Sequence, residues 1–401
     1  MRVPKFFKIY LVLIVCFAGQ FVFAGSYFSS KAKGLGLRQY ATGVRGIGMG
    51  YTGMASRDSL ELNNFAVTQW RHIVDTRVTI SLAYQRFETD MSGNNFTSTT
   101  TELSGLNIAI PIVKKKWVFG LAITPYSDID FKSTDDISSN GEDFTQTNFF
   151  TGSVSKAQFS LVWSPNPKLG LAVNANFFFG TLTDRFEFRF VNSNFRDISH
   201  QVIYRFRGPG IGLSADYQPA KKIQLAGFVD FPANVNMDVE YVSTVDFPLD
   251  QPRNFDKFPL QFGIGGALQM SRRWQLTADF TRQQWADALK TPNPEFDSWY
   301  LFGVGVERAA SRKRKTNIFN KMDLRSGFSA RSLGYKFNNE PVNEYALHLG
   351  FGLPFGHFRN RIDIAVSGGI RGDLSKNLAE EKFIKLNTSI SIGELWFQQR
   401  R

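Results

Sequence analysis

The residue types that most often carry chemistry are sparse in this chain and poorly spaced for it. The four histidines, His72, His200, His348 and His357, fall into no metal-ligand pattern such as His-Glu-x-x-His, which sets two imidazoles on one helix face. No Gly-x-Ser-x-Gly elbow is present to expose a nucleophilic serine. The single cysteine, Cys16, sits in the N-terminal apolar run. The run Gly46-x-Gly48-x-Gly50 invites a phosphate loop, but the spacing departs from the dinucleotide fingerprint and no strand precedes it. The net charge of +12 and the run Arg312-Lys313-Arg314-Lys315 invite a nucleic-acid reading. That run belongs to a set of basic connections, which contact with anionic phospholipid headgroups explains more simply. The residues nominate no catalytic group, no metal site, no cofactor and no nucleic-acid partner, so the chain reads as a non-enzyme.

The elements around these residues are strands. In Phe258 to Met270, Phe258, Leu260, Phe262, Ile264, Leu268 and Met270 fall on one face, and Pro259, Gln261, Gly263, Gly265, Ala267 and Gln269 on the other. Trp274 to Phe280, Tyr345 to Leu353, Ile362 to Ile370 and Ile384 to Ile392 repeat the alternation. Successive side chains on a strand point to opposite faces, so a period of two marks strands that are apolar on one side only. About fourteen such segments follow one another, starting near Arg77, Thr101, Trp117, Thr147, Lys168, Val202, Ile223, Phe258, Trp274, Ser298, Met322, Glu344, Arg361 and Lys382. His348 alternates with Tyr345, Leu347 and Leu349 and is predicted to face inward from the twelfth.

The connections sort by parity. One set is mostly short and basic: Lys114-Lys115-Lys116, Ser164 to Lys168, Pro219 to Lys222, Ser271-Arg272-Arg273, Arg308 to Lys321 and Pro354 to Arg361. The other is mostly longer and more acidic, including Glu88 to Thr100, Asp128 to Gln146, Asn192 to Gln201 and Val242 to Lys257. Short periplasmic turns opposite longer outer loops are the signature of an antiparallel transmembrane barrel; a soluble sandwich has no reason to sort its loops this way. Aromatics form 15% of the chain, with 40 Phe, while mean hydropathy is slightly negative. Trp70, Trp117, Trp163, Trp274, Trp299, Trp396 and Phe397 lie near strand ends and suit interfacial girdles. At the N-terminus, Arg2, Lys5 and Lys8 precede the apolar run Ile9 to Phe17 and the small-residue site Val22-Phe23-Ala24. That pattern predicts a signal peptide over 1–24, export, and a mature chain without a thiol. The expected organisation is signal 1–24, a lumenal hatch 25–72 and a barrel 73–401, an all-β fold in the outer membrane of a Gram-negative-type bacterium.

Fourteen strands enclose more space than their own side chains fill, so something must plug the barrel or pass through it. The segment before the first strand holds Arg45-Gly46-Ile47-Gly48-Met49-Gly50, then Asp58 and Asn63-Asn64-Phe65-Ala66. These residues resemble the N-terminal hatch of the FadL/TodX family of fourteen-stranded outer-membrane channels for hydrophobic molecules. That family usually reads Arg-Gly-x-Gly-Met-Gly, an acidic pair and Asn-Pro-Ala; here the pair is Arg57-Asp58 and Phe65 replaces the proline. The resemblance implies passive uptake of hydrophobic molecules such as long-chain fatty acids or aromatic hydrocarbons. It implies gating by Arg45, Gly46, Gly48, Met49, Gly50, Asp58, Asn63, Asn64 and Phe65. Gly120 to Ser127 is similar to the family's third-strand segment. Pro125 there, which cannot donate to a sheet ladder, marks either a lateral opening or the base of a loop. Proteins similar to this family also act as scaffolds or shuttles for secreted proteins, as PorV does, and that is the alternative. Expected partners are outer-membrane lipids, a hydrophobic small molecule and the outer-membrane barrel assembly machinery.

Overall fold

A computed structural model describes residues 25–394 apart from 32–34, 41, 92–93, 140–141, 192–193, 246–254, 256, 289–294, 312–316 and 357–358. The predicted signal peptide, His357, the 312–315 basic run, Trp396 and Phe397 lie outside the described residues. Fourteen antiparallel strands form a closed barrel. They are β1 Thr76–Met91, β2 Asn94–Val113, β3 Trp117–Ser139, β4 Glu142–Asn166, β5 Leu169–Phe190, β6 Ile198–Ala220 and β7 Ile223–Asp230. The second half is β8 Gln261–Gln269, β9 Trp274–Gln284, β10 Phe296–Arg308, β11 Asp323–Phe337, β12 Glu340–Phe355, β13 Asn360–Asp373 and β14 Ala379–Glu394. Each strand pairs with the next, and β14 closes on β1 from Glu380–Asp90 to Glu394–Thr76. Closure removes free sheet edges along most of the wall, the condition for crossing hydrocarbon with strands. No described helix is long and apolar enough to cross a membrane.

The alternation has the predicted sense. Tyr345, Leu347, Leu349, Phe351 and Leu353 on β12 are exposed on the outer wall, while Glu344, Ala346 and His348 are buried inside. On β13, Arg361, Asp363, Ala365 and Ser367 face inward. The inner face is therefore polar along these strands and the outer wall apolar, while Tyr126, Val154, Phe178 and Trp299 belong to an apolar cluster elsewhere in the lumen.

Three expectations need correction. Phe258 does not share the outer face with Phe262: it pairs with Ala233 in a two-residue side ladder and is buried against Tyr126 and Phe178. Pro259 lacks the N–H that would carry the barrel ladder through, so β8 begins only at Gln261. Trp70 and Trp299 are not girdle residues; both are buried inside, Trp70 over Gly120 and Trp299 stacked on Tyr40. Trp117, Trp163 and Trp274 do lie on the outer wall, the first two stacked at 5.8 Å. Finally, the expected outer loops Glu88 to Thr100 and Asp128 to Gln146 are mostly strand, because β1 and β2 stay paired out to Met91–Asn94 and β3 and β4 from Ser127–Val154 to Ser139–Glu142. Thr and Phe are frequent there, and such residues keep a ladder running where polarity alone suggests a loop. Asn236–Ser243 adds a further antiparallel partner to the outer half of β6.

Among the described residues, the pairing of the wall breaks between β2 and β3. β2 and β3 pair only from Leu106–Ile123 to Val113–Trp117. Pro125 stands just past that point, and the β3–β4 register shifts between Pro125 and Ser127. Leu37 and Arg38 pair instead with Asp128 and Ser127, and the Gln39 N–H donates to the Tyr126 carbonyl at 3.0 Å.

Candidate functional site

The lumen is occupied by residues 42–72, and glycines make that possible. Val44–Ile47 forms one short helical turn, after which Gly48, Met49 and Gly50 press directly on the wall. Gly50 has φ +74°, a conformation that L side chains rarely adopt. Opposite this turn, β10, β11 and β12 present Gly303, Gly305, Gly327 and Gly350. A Cβ on Gly350 would lie 3.0 Å from the Gly48 Cα, and one on Gly303, Gly305 or Gly327 would collide with the backbone of Met49 or Gly50. The two backbones meet because both sides lack side chains. Met49 is wholly buried there.

Charge fixes the same turn at the end of the lumen nearest the β10–β11 and β12–β13 connections. Arg45, 2% exposed, donates from Nε to Glu307 Oε1 at 3.0 Å and from Nη1 to Glu61 at 3.2 Å; its Nη2 reaches Ser56 at 2.6 Å. Asp58 lies 3.3 Å from the Arg45 Nε and 2.6 Å from Arg361. Arg361 and Arg325 share Asp363, and Arg325 also meets Glu307 at 2.8 Å and Asp323 at 3.2 Å. Burial pushes the Asp58 carboxyl up, but Arg361 and Arg45 together outweigh it and hold it below the usual aspartate value. Burial raises the Glu61 carboxyl, with Arg45 offsetting only part. Buried charges survive in a protein interior only when paired and hydrogen-bonded, as these are.

The rest of the segment is held residue by residue. Asp279 on β9 accepts the Gly53 and Met54 N–H groups at 2.7 and 2.9 Å. The Asn63 side chain caps the Phe65 N–H, and its carbonyl accepts from the Trp70 indole at 2.8 Å. Asn64 donates to Asn107 at 2.8 Å, Phe65 stacks on Phe228 at 5.3 Å, and Arg71 pairs with Asp216 at 2.6 Å. Gly46 donates its N–H to Glu61. All nine residues predicted for the hatch thus touch the wall or each other inside the barrel.

Sequence reasoning missed several partners. Glu61 of the same segment and Glu307, Asp323, Arg325, Arg361 and Asp363 of the wall complete the charged network; the signal of the last five was charge at inward-facing strand positions. Arg38 was also missed: it lies over the Tyr126 ring at 3.4 Å and donates to Gln283 and Gln261 at 3.0 and 3.2 Å. At the outer end, Arg371 bridges Glu344 and Glu381 at 2.7 and 2.8 Å, and Glu381 accepts from Ser26 at 2.7 Å. His348 does face the lumen, between Ser329 and Ser367 at 2.8 Å each. Among the described residues, no group of three or more His, Cys, Asp or Glu is arranged to hold a metal.

A closed fourteen-stranded barrel, apolar outside and with its own N-terminal segment packed in its lumen, defines a plugged β-barrel of the outer-membrane type. Residues 6–401 match the family described as BamG, and the chain belongs to that family. No curated protein sequence matches it. Among solved structures it is similar to a Pseudomonas aeruginosa FadL homologue, at TM-score 0.61 and 13% identity over 89% of this chain and 99% of that one. It is also similar to the Pseudomonas putida toluene transporter TodX (0.57, 15%, 88% and 98%) and the Ralstonia pickettii toluene transporter TbuX (0.57, 14%, 87% and 97%). At such identities the likeness is one of fold.

Proposed function

We propose that this chain is a plugged accessory barrel of the outer-membrane barrel assembly machinery, acting as a membrane-embedded scaffold. The name of its family, BamG, points to that machinery. The observation that carries the reading is the locked lumen: Arg45 and Asp58 tie residues 42–72 to Glu307 and Arg361, and the Gly48–Gly50 turn lies backbone-to-backbone on the wall. A conduit for apolar cargo wants an apolar lining with a few placed polar groups. Here the inward faces of β11 to β13 carry Arg325, Arg331, Arg361, Arg371 and their acidic partners, and the apolar cluster elsewhere in the lumen, with Tyr126, Val154, Phe178 and Trp299, is filled by Val44, Ile47 and Tyr51 of the plug. Affinity purification of the tagged full-length protein from solubilised envelope tests the scaffold directly, since a scaffold retains the barrel-inserting machinery through the wash.

A second reading, uptake of hydrophobic molecules such as fatty acids or aromatic hydrocarbons, is supported by the break in β2–β3 pairing beside Pro125. On that reading the nine lumenal residues from Arg45 to Phe65 gate the lumen, and residues 37–39 must leave the β3 edge for cargo to exit sideways. Uptake of a labelled fatty acid by cells with and without the protein separates the two.

A further inference from the structure

The outer wall carries a notch that neither role uses. Across β4 to β8, the outward positions Ala215 and Gly227 are small, and they are opposite one another in the ladder. Leu161, Trp163, Leu213, Val229, Phe262 and Ile264 surround them, enclosing a cleft of about 720 Å³ on the lipid-facing surface. A side chain on Gly227 would point outward, with the Gly263 carbonyl oxygen and Ile264 as its nearest neighbours.

Below the cleft, the short turns of the same strands form a continuous cationic rim. Lys114, Lys115 and Lys116 join β2 to β3, Lys168 precedes β5, Lys221 and Lys222 join β6 to β7, and Arg272 and Arg273 join β8 to β9. No acidic residue interrupts these turns. Backbone bonds lace them side by side: Ser164 N–H to the Lys116 carbonyl at 2.9 Å, Gln218 to Lys168 at 2.9 Å and Gln269 to Lys222 at 2.8 Å. The lysines are exposed, and none makes an ion pair among the described residues. Gly227 is five residues from Lys222, roughly 16 Å along the strand, which with the usual barrel tilt keeps the notch within one leaflet of the rim.

We propose that this cleft and rim form a site for an anionic phospholipid of the periplasmic leaflet, its acyl chain in the notch over Ala215 and Gly227 and its phosphate on Lys168, Lys221 and Lys222. The occupant follows from charge: an apolar bed under a rim of cations suits an amphiphile with a negative head. The stacked Trp117 and Trp163 place the headgroup boundary at the level of that rim.

The test is native mass spectrometry of the full-length protein released from micelles with equal amounts of phosphatidylglycerol and phosphatidylethanolamine. Phosphatidylglycerol should be retained at least about fivefold more, since each cation near the surface favours an anionic head. The triple variant Lys168→Gln, Lys221→Gln, Lys222→Gln should remove that preference, and Ala215→Trp, which fills the notch, should lower retention of the lipid. Heat-modifiable gel migration checks folding; if Ala215→Trp does not fold, the turn variant decides alone. Equal retention of the two lipids overturns the site. So does displacement of the lipid by inorganic phosphate beyond that by chloride at equal ionic strength, which would mark a bare anion site. A protein seated on this face with no lipid preference overturns it as well.

Discussion

Arg45 in the lumenal segment and Glu307 on β10 form a two-point pair, Nε to Oε1 at 3.0 Å and Nη2 to Oε2 at 2.5 Å, with both side chains buried. Arg325 approaches the same carboxylate from β11 at 2.8 Å. One wall carboxylate thus joins the plug to two adjacent strands.

Arg45→Ala should loosen the segment without dissolving the barrel. Removing one partner of a buried pair costs about 3 kcal/mol, because the other charge is left unpaired. Amide exchange over 44–58 should accelerate on the order of a hundredfold at that cost, while exchange in β10–β13 stays slow. Uniform acceleration across the barrel would contradict a localised lock.

Gly305→Val tests the backbone contact. The larger side chain would strike the Met49 carbonyl, and neither backbone has room to move. Valine suits a strand, so the barrel should still assemble and show heat-modifiable migration. The segment should be expelled, exposing the buried Arg45 to trypsin in assembled protein. A protected segment in the valine variant would show that the glycine contact is dispensable.

The charged lock has a pH signature. Asp58 is held below its unfolded value of about 3.9 by Arg361 and Arg45 despite burial. Its stabilisation is therefore complete above that value and lost as pH falls through the folded pKa. Glu61 shifts the other way, so its contribution belongs to the protonated form and declines as pH rises through its folded pKa. Acidification from neutrality to pH 5 should leave the segment docked, with release only below about 4. A nitroxide at Arg57→Cys reads this by spectral mobility; Cys16 is the only native cysteine and lies in the predicted signal. Release near pH 6 would exclude Asp58 as the titrating lock.

Pro125→Val addresses the second reading. A residue with an N–H at this point should extend β2–β3 pairing past Ile123 and narrow the break. If the wall gap is an exit, uptake of a hydrophobic probe slows; unchanged uptake removes Pro125 from any transport path.

The period-two faces made the barrel, its strand count and its outward wall legible, because lipid on one side and a polar lumen on the other leave a mark every second residue. Trp70 and Trp299 were misplaced because an aromatic near a strand end looks alike whether it meets headgroups or a lumenal partner such as Gly120 or Tyr40. The hatch motif identified Arg45 and Asp58. Their partners Glu307 and Arg361 lie hundreds of residues away, and only the closed register brings them together. Arg38 had no local signal: its place depends on the bulge after Pro125 that turns Tyr126 inward.

The scaffold reading rises or falls on what the protein holds in its own membrane. Tagged full-length protein purified from gently solubilised envelope should carry the core barrel-inserting machinery in near-stoichiometric amount. Purification of the barrel alone, together with loss of hydrophobic-probe uptake in cells lacking it, would contradict the account and establish a channel instead.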